Sequence, residues 1–175
     1  MAEIPIADWR SITSLVAELK RCDQSGLITA SIAMAFICID SLANLARPTQ
    51  ASKVTRADFK AWVDKYLKAH DEQPYKYRGK DVYAARCAFL HTYGSEAELH
   101  TQDTDIKKFA YHNGGMHNYN PQIDPSLVII GTRSFVNDVI IAIESFIEEC
   151  GSNSDLKIRV EQRLIGFLHE VPISQ

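Results

Sequence analysis

The chain has 175 residues, 46% of them hydrophobic and 23% charged, with a formal net charge of -3 at pH 7. This length suits one well-packed globular core and is short for two. The slightly negative net charge excludes a general attraction to nucleic acid or to an anionic membrane, although an average can hide a local basic segment.

The N-terminal stretch, MAEIPIADW, lacks the basic start and the apolar run of a signal peptide. A first helix is predicted over about 8–22, with Asp8 at or near its N-cap. The short turn DQSG follows, so we expect this helix to pack as a hairpin against the next one. Its apolar face carries, at helical spacing, Trp9, Ile12, Leu15, Val16 and Leu19.

The second predicted element is the long apolar run GLITASIAMAFICIDSLANLA, residues 26–46. Its length would suit a membrane helix. Asp40 and Asn44 lie inside it, however, and an ionised carboxylate in a bilayer costs about 3 kcal/mol. We therefore expect the central helix of a soluble bundle, ended by Pro48, and no association with a membrane.

The cysteines also indicate where in the cell the protein works. The four cysteines are widely spaced and none belongs to a CxxC pair, which favours reduced, buried thiols over a disulfide framework. A cytoplasmic protein is expected. The four are Cys22, Cys38, Cys87 and Cys150.

A third helix is predicted to begin near Thr55, whose hydroxyl can cap it, with Asp58 three residues later as a near capping box. After the polar loop KAHDEQPYKYRG, a fourth helix is predicted over about 80–92 and is closed by Gly94. The third helix has the clearest amphipathic pattern in the chain, formed by Phe59, Trp62, Val63, Tyr66 and Leu67.

The segment 93–131 differs in character, being polar with two short apolar runs, IKKFAY and SLVII, that predict a small β-hairpin. Helical spacing returns over about 132–150 and again over about 154–169, the last helix opening at Asn153 or Ser154. The expected fold is all-α. It is a single domain over 1–175, a bundle of about six helices with an irregular insertion at about 93–131.

Arg86 lies in the middle of the predicted apolar arc of the fourth helix. A guanidinium keeps its charge, so one directed at an apolar interface needs an anionic partner or a ligand. Asp40 is the strongest internal partner, and Asn44 lies one turn later, so both are candidates for orienting Arg86. A buried ion pair with a purely structural role is the alternative. The arc is formed by Val82, Phe89, Leu90 and Tyr93.

His91 lies in the last turn of the same helix, where the helix dipole favours a cationic side chain. On an ideal helix it projects about 140° away from Arg86 and about 7.5 Å farther along the axis. The two side chains are therefore expected to share a site only if the helix frays or a second molecule completes it. A histidine that merely caps the helix is the other interpretation.

The stretch RCAFLH, residues 86–91, resembles the R-x4-6-H motif of the HEPN superfamily (higher eukaryotes and prokaryotes nucleotide-binding domain). The predicted order of elements is also similar: a long helical hairpin, a shorter helix, the motif helix and a closing helix, over most of the chain except about 93–131. The resemblance implies a metal-independent endoribonuclease or an RNA-binding protein. It also implies a homodimer with a composite site, no cofactor, and either a cognate antitoxin or a nucleotidyltransferase as partner.

The resemblance gives Arg86 and His91 the catalytic roles. RNA cleavage by transesterification needs a base for the 2′-hydroxyl proton, a cation for the charge developing on phosphorus and an acid for the 5′ leaving oxygen. His91 can serve as base or acid, and Arg86 can bind phosphate oxygens. Active members usually carry Asn, Asp or His directly after the Arg, whereas this chain has Cys87, so a weak or inactive nuclease also fits the resemblance.

The uneven charge indicates where RNA would bind. Residues 53–86 hold nine Lys or Arg against five Asp or Glu, whereas residues 87–175 hold six against twelve. Tyr75 and Tyr77 lie within the basic segment and could stack on bases. The residues expected to contact nucleic acid are Lys76, Arg78, Lys80, Lys107, Lys108, His112 and His117.

Three histidines of the insertion raise the alternative of a metal site. His100, His112 and His117 have no cysteine or carboxylate at a recognisable ligand spacing, so no metal is expected and a polar turn is the other interpretation. The chain also lacks a phosphate-binding glycine loop, a GxSxG elbow and an HExxH motif, which excludes the chemistries that those motifs perform.

Overall fold

The structure is a computed structural model in which residues 8–168 are described. Within this range the chain forms seven helices and a sheet of two strands. The predicted helical bundle is confirmed, but the small sheet means that the fold is not entirely α. The elements are α1 (Arg10–Gln24), α2 (Ile28–Ala46), α3 (Arg56–Tyr66), α4 (Gly79–Thr92), α5 (Glu98–Gln102), β1 (Lys108–His112), β2 (Leu127–Gly131), α6 (Thr132–Ser152) and α7 (Ser154–Leu164).

The predicted central helix is α2, which packs against α1, α3, α6 and α7. By length and composition alone, α2 is also a candidate membrane span, but half of that window is buried inside the fold, as in the core helix of a bundle. The cysteines are all free, as expected. The buried residues of α2 include Ile32, Phe36, Ile39, Leu42 and Leu45.

The predicted start of α3 is confirmed in detail. The Thr55 hydroxyl accepts a hydrogen bond from the Asp58 backbone N–H at 3.3 Å, and the Asp58 carboxylate accepts one from the Thr55 N–H at 2.7 Å. This reciprocal pair satisfies two backbone donors that a helix otherwise leaves open. The predicted apolar face of α3 is buried throughout.

The apolar arc predicted for α4 is only partly right. Val82 is buried, but Tyr93 is 71% exposed and adopts a left-handed conformation (φ 52°) just after the last helical residue. The buried face is formed mainly by small residues, Ala84, Ala85 and Ala88. Arg86, whose side chain is 22% exposed, lies at the edge of this face and not in its middle.

The β-hairpin predicted for the insertion is wrong, because β1 and β2 pair in parallel, from Lys108 opposite Leu127 to His112 opposite Gly131. A hairpin needs a tight turn, whereas residues 113–126 form a crossover long enough to bring the chain back in the same direction. Within the crossover, Asn118 pairs with Ile129 in the antiparallel sense. The one-turn helix α5 was not predicted.

The C-terminal pair of helices follows the prediction up to its last residues. Asn153 caps α7, since its side chain accepts a hydrogen bond from the Leu156 N–H at 3.1 Å. The helix ends at Leu164, before the predicted end near 169, and Leu168 is 89% exposed. Residue 169 itself lies outside the described range.

Candidate functional site

Arg86 and Asp40 form an ion pair between α4 and the middle of α2. The Arg86 Nε donates to the Asp40 Oδ2 at 2.7 Å, and the Arg86 Nη2 lies 2.7 Å from the same oxygen. The two side chains are 22% and 31% exposed. The pair is thus only partly buried, and one side of the guanidinium faces outward.

That outward side contacts His91. The Arg86 Nη1 lies 3.0 Å from the His91 Nε2. An arginine nitrogen can only donate, so the His91 Nε2 accepts and the ring in this arrangement is neutral, with its proton on Nδ1. The prediction that the two residues need a frayed helix or a second molecule to meet is wrong, because the long arginine side chain spans the angle between the two positions.

The hydrogen bonds of Arg86 leave part of its guanidinium open. A guanidinium carries five N–H donors. The Nε and one Nη2 donor are directed at Asp40, and one Nη1 donor is directed at His91. The Cys87 thiol also hydrogen-bonds to Arg86, so at least one N–H group remains for an anionic ligand at the exposed edge.

Burial and ion pairing act in opposite directions on the charges of the site. Burial raises the pKa of Asp40, the hydrogen bond and the charge of Arg86 oppose that rise, and a protonated His91 would oppose it as well. Burial by itself lowers the pKa of Arg86, but the hydrogen bonds and charges of Asp40 and Cys87 together outweigh it and raise that pKa. Arg86 is thus a fixed cation whose orientation is set by Asp40.

A cleft of about 440 Å³ lies beside His91, between α4, α5 and the start of α3. Tyr83, Cys87 and His91 line it from α4 at positions i, i+4 and i+8, a spacing that puts them on one face of the helix. Burial raises the pKa of Tyr83, and the neighbouring Cys87 raises it further. The thiol that follows the motif arginine is thus part of the cleft wall and interacts with both Tyr83 and Arg86.

The cleft beside His91 also brings a second cation, Arg56, near the site. It lines the cleft from the first residue of α3, is exposed, and forms no ion pair with any residue in the range 8–168. Its position was not singled out from the sequence, because only the fold brings the start of α3 next to the end of α4.

Asn44 does not orient Arg86. Its side-chain oxygen accepts a hydrogen bond from the Arg47 Nη1 at 2.6 Å, and Arg47 also binds the Asn44 backbone carbonyl. The expectation for Asn44 is therefore wrong: one helical turn beyond Asp40, its side chain serves the C-terminal end of α2.

The cations predicted to bind nucleic acid are largely neutralised within the fold. The insertion brings Asp103 and Asp105 against the basic segment, and carboxylates pair with four of the predicted cations. The fifth, Lys76, donates to two backbone carbonyls, those of His70 and Asp71. The contacts are Arg78 with Asp81 and Asp105, Lys80 with Asp103 and Asp105, Lys107 with Asp105, and Lys108 with Glu96.

His117 is a core residue, so the expectation that it contacts nucleic acid is wrong. It is 3% exposed, its Nδ1 accepts a hydrogen bond from the Gly131 N–H at 3.1 Å, and its Nε2 lies 2.8 Å from the Tyr77 hydroxyl. Tyr77 in turn donates to Asp138 at 2.9 Å. Tyr75 and Tyr77, expected to stack on bases, are also buried.

His112 and His100 serve the insertion itself. The His112 Nε2 lies 2.7 Å from the Met116 carbonyl and its Nδ1 accepts from the Gly114 N–H, so the ring closes the turn 112–116. His100 is bound in the same way to the backbone of Ala97 and Lys107. Among the described residues, no group of three or more His, Cys, Asp or Glu side chains is placed to hold a metal ion.

Comparisons with protein-family models, curated proteins and solved structures find no match to this chain. The features of this chain that bear on function are the motif and the geometry around Asp40, Arg86 and His91.

Proposed function

We propose that this chain is a HEPN-like, metal-independent endoribonuclease that acts as a homodimer in the cytoplasm. The observation that carries the proposal is the 3.0 Å contact between the Arg86 Nη1 and the His91 Nε2, with the guanidinium held from behind by Asp40. A cation with free donors beside a neutral imidazole is the pair that RNA transesterification needs.

In the proposed reaction, substrate binding draws the Arg86 Nη1 N–H from the His91 Nε2 to a phosphate oxygen, which frees the Nε2 lone pair. The Nε2 then accepts the proton of a ribose 2′-hydroxyl, and the 2′-oxygen attacks the adjacent phosphorus. The bond from phosphorus to the 5′-oxygen breaks, and that oxygen takes a proton from an acid. The products are a 2′,3′-cyclic phosphate and a 5′-hydroxyl, so atoms balance without water or metal. The free N–H groups of Arg86 stabilise the charge on the phosphate oxygens.

The homodimer supplies the acid. One imidazole cannot be neutral base and protonated acid in the same step, and a second His91 from a twin subunit provides the second role. A dimer would bring the two exposed His91 clefts together. A cognate antitoxin or a nucleotidyltransferase would regulate the enzyme by covering this face.

RNA approaches, in this proposal, along the His91 cleft and past Arg56. The ion-paired cations Arg78, Lys80, Lys107 and Lys108 would first have to give up their carboxylates, which makes them weaker phosphate ligands. Arg56 forms no ion pair with another described residue, although Glu98 lines the same cleft.

The test is RNA cleavage by the purified chain in the presence of EDTA. We expect cleavage by the wild type and its loss in Arg86→Ala and in His91→Ala, with circular dichroism unchanged. The matched controls are Arg21→Ala and His70→Ala, which replace exposed residues outside the site and should cleave normally. No cleavage by the wild type, or full cleavage by either site variant, contradicts the proposal.

The second candidate is a non-catalytic helical interaction module, favoured by the firm ion pair between Asp40 and Arg86. In that case the wild type does not cleave RNA, and Arg86→Ala only lowers the stability of the fold. The two candidates differ most clearly at His91. In a nuclease, His91→Ala should abolish cleavage and leave the ion pair and the stability nearly unchanged. In an interaction module, it should change neither stability nor RNA cleavage.

A further inference from the structure

A second cleft, of about 310 Å³, lies where the end of α2 meets α3, α6 and α7. It shares no lining residue with the cleft beside His91. Its wall carries the polar or charged side chains of Arg47, Asp58, Trp62, Lys65, Tyr66, Glu149, Asn153 and Arg159. Its volume is at the small end of the range typical of ligand sites.

Three arginines lie close together at this cleft: Arg47 and Arg159 line it, and Arg163 interacts with both from beside it. Burial and then the positive charges of Arg47 and Arg159 lower the pKa of Arg163, and only the charge of Asp58 opposes them. Within residues 8–168, none of these three arginines forms an ion pair. The cluster therefore carries uncompensated positive charge.

Two of the three arginines have a structural task. Arg47 donates to the Asn44 carbonyl at 2.7 Å, and Arg163 donates to the carbonyls of Leu45 and Arg47 at 2.9 and 2.8 Å. They satisfy the open carbonyl groups at the end of α2, which carry only a partial negative charge. Arg159 has no such partner.

The cleft also contains two buried donors without acceptors. The Trp62 indole N–H and the Arg159 Nε are buried, and neither finds a hydrogen-bond partner in the described part of the chain. Trp62 as a whole is only 3% exposed. A buried N–H without an acceptor is unfavourable, and both of these belong to side chains that line one cleft, which favours an acceptor that reaches them from it.

The carboxylates near the cleft are already engaged. Asp58 completes the capping box of Thr55, and Glu149 binds Lys65 at 2.6 Å and Tyr66 at 3.0 Å. They are therefore not the counter-ions of Arg159. The remaining wall is formed largely by small apolar residues, Ala43, Ala46, Ala61 and Leu156.

We propose that this cleft binds a phosphate group, either free or as part of a small phosphate monoester. The Arg159 guanidinium and the Trp62 indole N–H donate to the phosphate oxygens, and Arg47 and Arg163 supply the positive field. In a monoester, the organic part packs against the apolar wall. The site is separate from the Arg86–His91 pair and does not depend on the proposed nuclease activity.

The test is calorimetric titration with inorganic phosphate in one arm and phenyl phosphate in the other, at constant ionic strength set with chloride. We expect saturable binding to the wild type, weakened about tenfold or more in Arg159→Gln and in Trp62→Phe, which keeps the ring but loses the donor. Tighter binding of phenyl phosphate identifies the monoester, and equal binding identifies free phosphate. Arg133→Gln, an exposed arginine near the other end of α6, is the matched control and should bind normally.

A second readout uses the same site. In Trp9→Phe, Trp62 is the only tryptophan, so its fluorescence should change with the same titration curve as the heat signal. Thermal unfolding of each variant checks that it is folded. The proposal is overturned if neither ligand binds the wild type or if Arg159→Gln binds as tightly as the wild type. It is also overturned if Arg133→Gln weakens binding as much as Arg159→Gln does.

Discussion

At the residue scale, Arg86 shows how one charged side chain can be placed by two neighbours. Asp40 holds its Nε and Nη2, while His91 accepts from its Nη1, so the guanidinium is oriented from both ends. The sequence correctly identified Asp40 as the partner, because it is the only acidic residue on the apolar helix α2. It could not show that His91 also reaches Arg86, since that contact depends on side-chain directions.

The first prediction concerns the substitution Asp40→Asn. An amide cannot balance the charge of Arg86 or hold its guanidinium in one orientation, so RNA cleavage should fall by about tenfold or more. Stability should fall by only about 1 kcal/mol, because the pair is partly exposed. Cleavage assays and urea unfolding measure the two effects. Asp71→Asn, at an exposed position, is the control, and unchanged cleavage in Asp40→Asn would contradict the orienting role.

The buried chain of His117, Tyr77 and Asp138 gives a pH prediction. Burial lowers the pKa of His117 from 6.5 to about 4, so the unfolded state takes up a proton before the native state does and stability is lost as pH falls through this window. Burial raises the pKa of Asp138 from 3.8 to about 6, so the native state takes up its proton first and stability is gained as pH falls from about 6 to 4. Each effect amounts to about 3 kcal/mol, and the two oppose each other.

Single substitutions should separate the two effects. Asp138→Asn removes the gain, so its free energy of unfolding should fall more steeply than that of the wild type between pH 7 and pH 4. His117→Asn removes the loss, so its free energy of unfolding should rise relative to that of the wild type as pH falls from 7 to 4. Urea unfolding across this range measures both, and parallel curves for all three proteins would show that the two groups do not titrate as described.

At the element scale, the helices whose ends carry local signals were predicted best. Two capping patterns are readable within four residues, and both form as expected. One is Thr55 with Asp58 at the start of α3, and the other is Asn153 at the start of α7. The strands were predicted in the right places but with the wrong direction. Short apolar runs indicate strands, whereas parallel or antiparallel pairing depends on the path of the connecting residues 113–126.

The cap of α3 allows a prediction at this scale. Thr55→Ala removes the acceptor for the Asp58 N–H and should lower the free energy of unfolding by about 1 kcal/mol. Thr13→Ala, an exposed position inside α1, should have little effect or a slightly stabilising one, because alanine favours helix interiors. Thermal or urea unfolding compares the two, and an equal effect of both substitutions would mean that the cap contributes nothing.

At the scale of the whole molecule, the site lies next to exposed apolar side chains. Ile37 is 39% exposed on α2, one turn before Asp40, and Tyr93 is 71% exposed two residues after His91. Apolar side chains around a polar site are typical of an interaction surface. We expect this face to form the homodimer proposed for the nuclease.

The corresponding prediction is that Ile37→Glu gives a monomer. The wild type should elute with twice its mass of 19.7 kDa in light-scattering chromatography, and the variant with that mass itself. The dimer should be lost because a carboxylate desolvated at the interface is unfavourable. RNA cleavage should fall with it, because the second His91 is then missing. Ile123→Glu, at an 83% exposed position in the insertion, is the control and should remain dimeric. A monomeric wild type that cleaves RNA would contradict the composite site.

The sequence by itself determined the six longer helices, most of their ends and the need of Arg86 for a partner, because these depend on spacing within one or two helical turns. The tertiary structure alone decided which cations remain free, that His117 is buried and that Arg86 meets His91. Predicted phosphate ligands such as Arg78 and Lys80 are neutralised by Asp103 and Asp105, residues more than twenty positions away. Electrostatic neutralisation and burial are properties of neighbours in space, which the order of residues along the chain does not show.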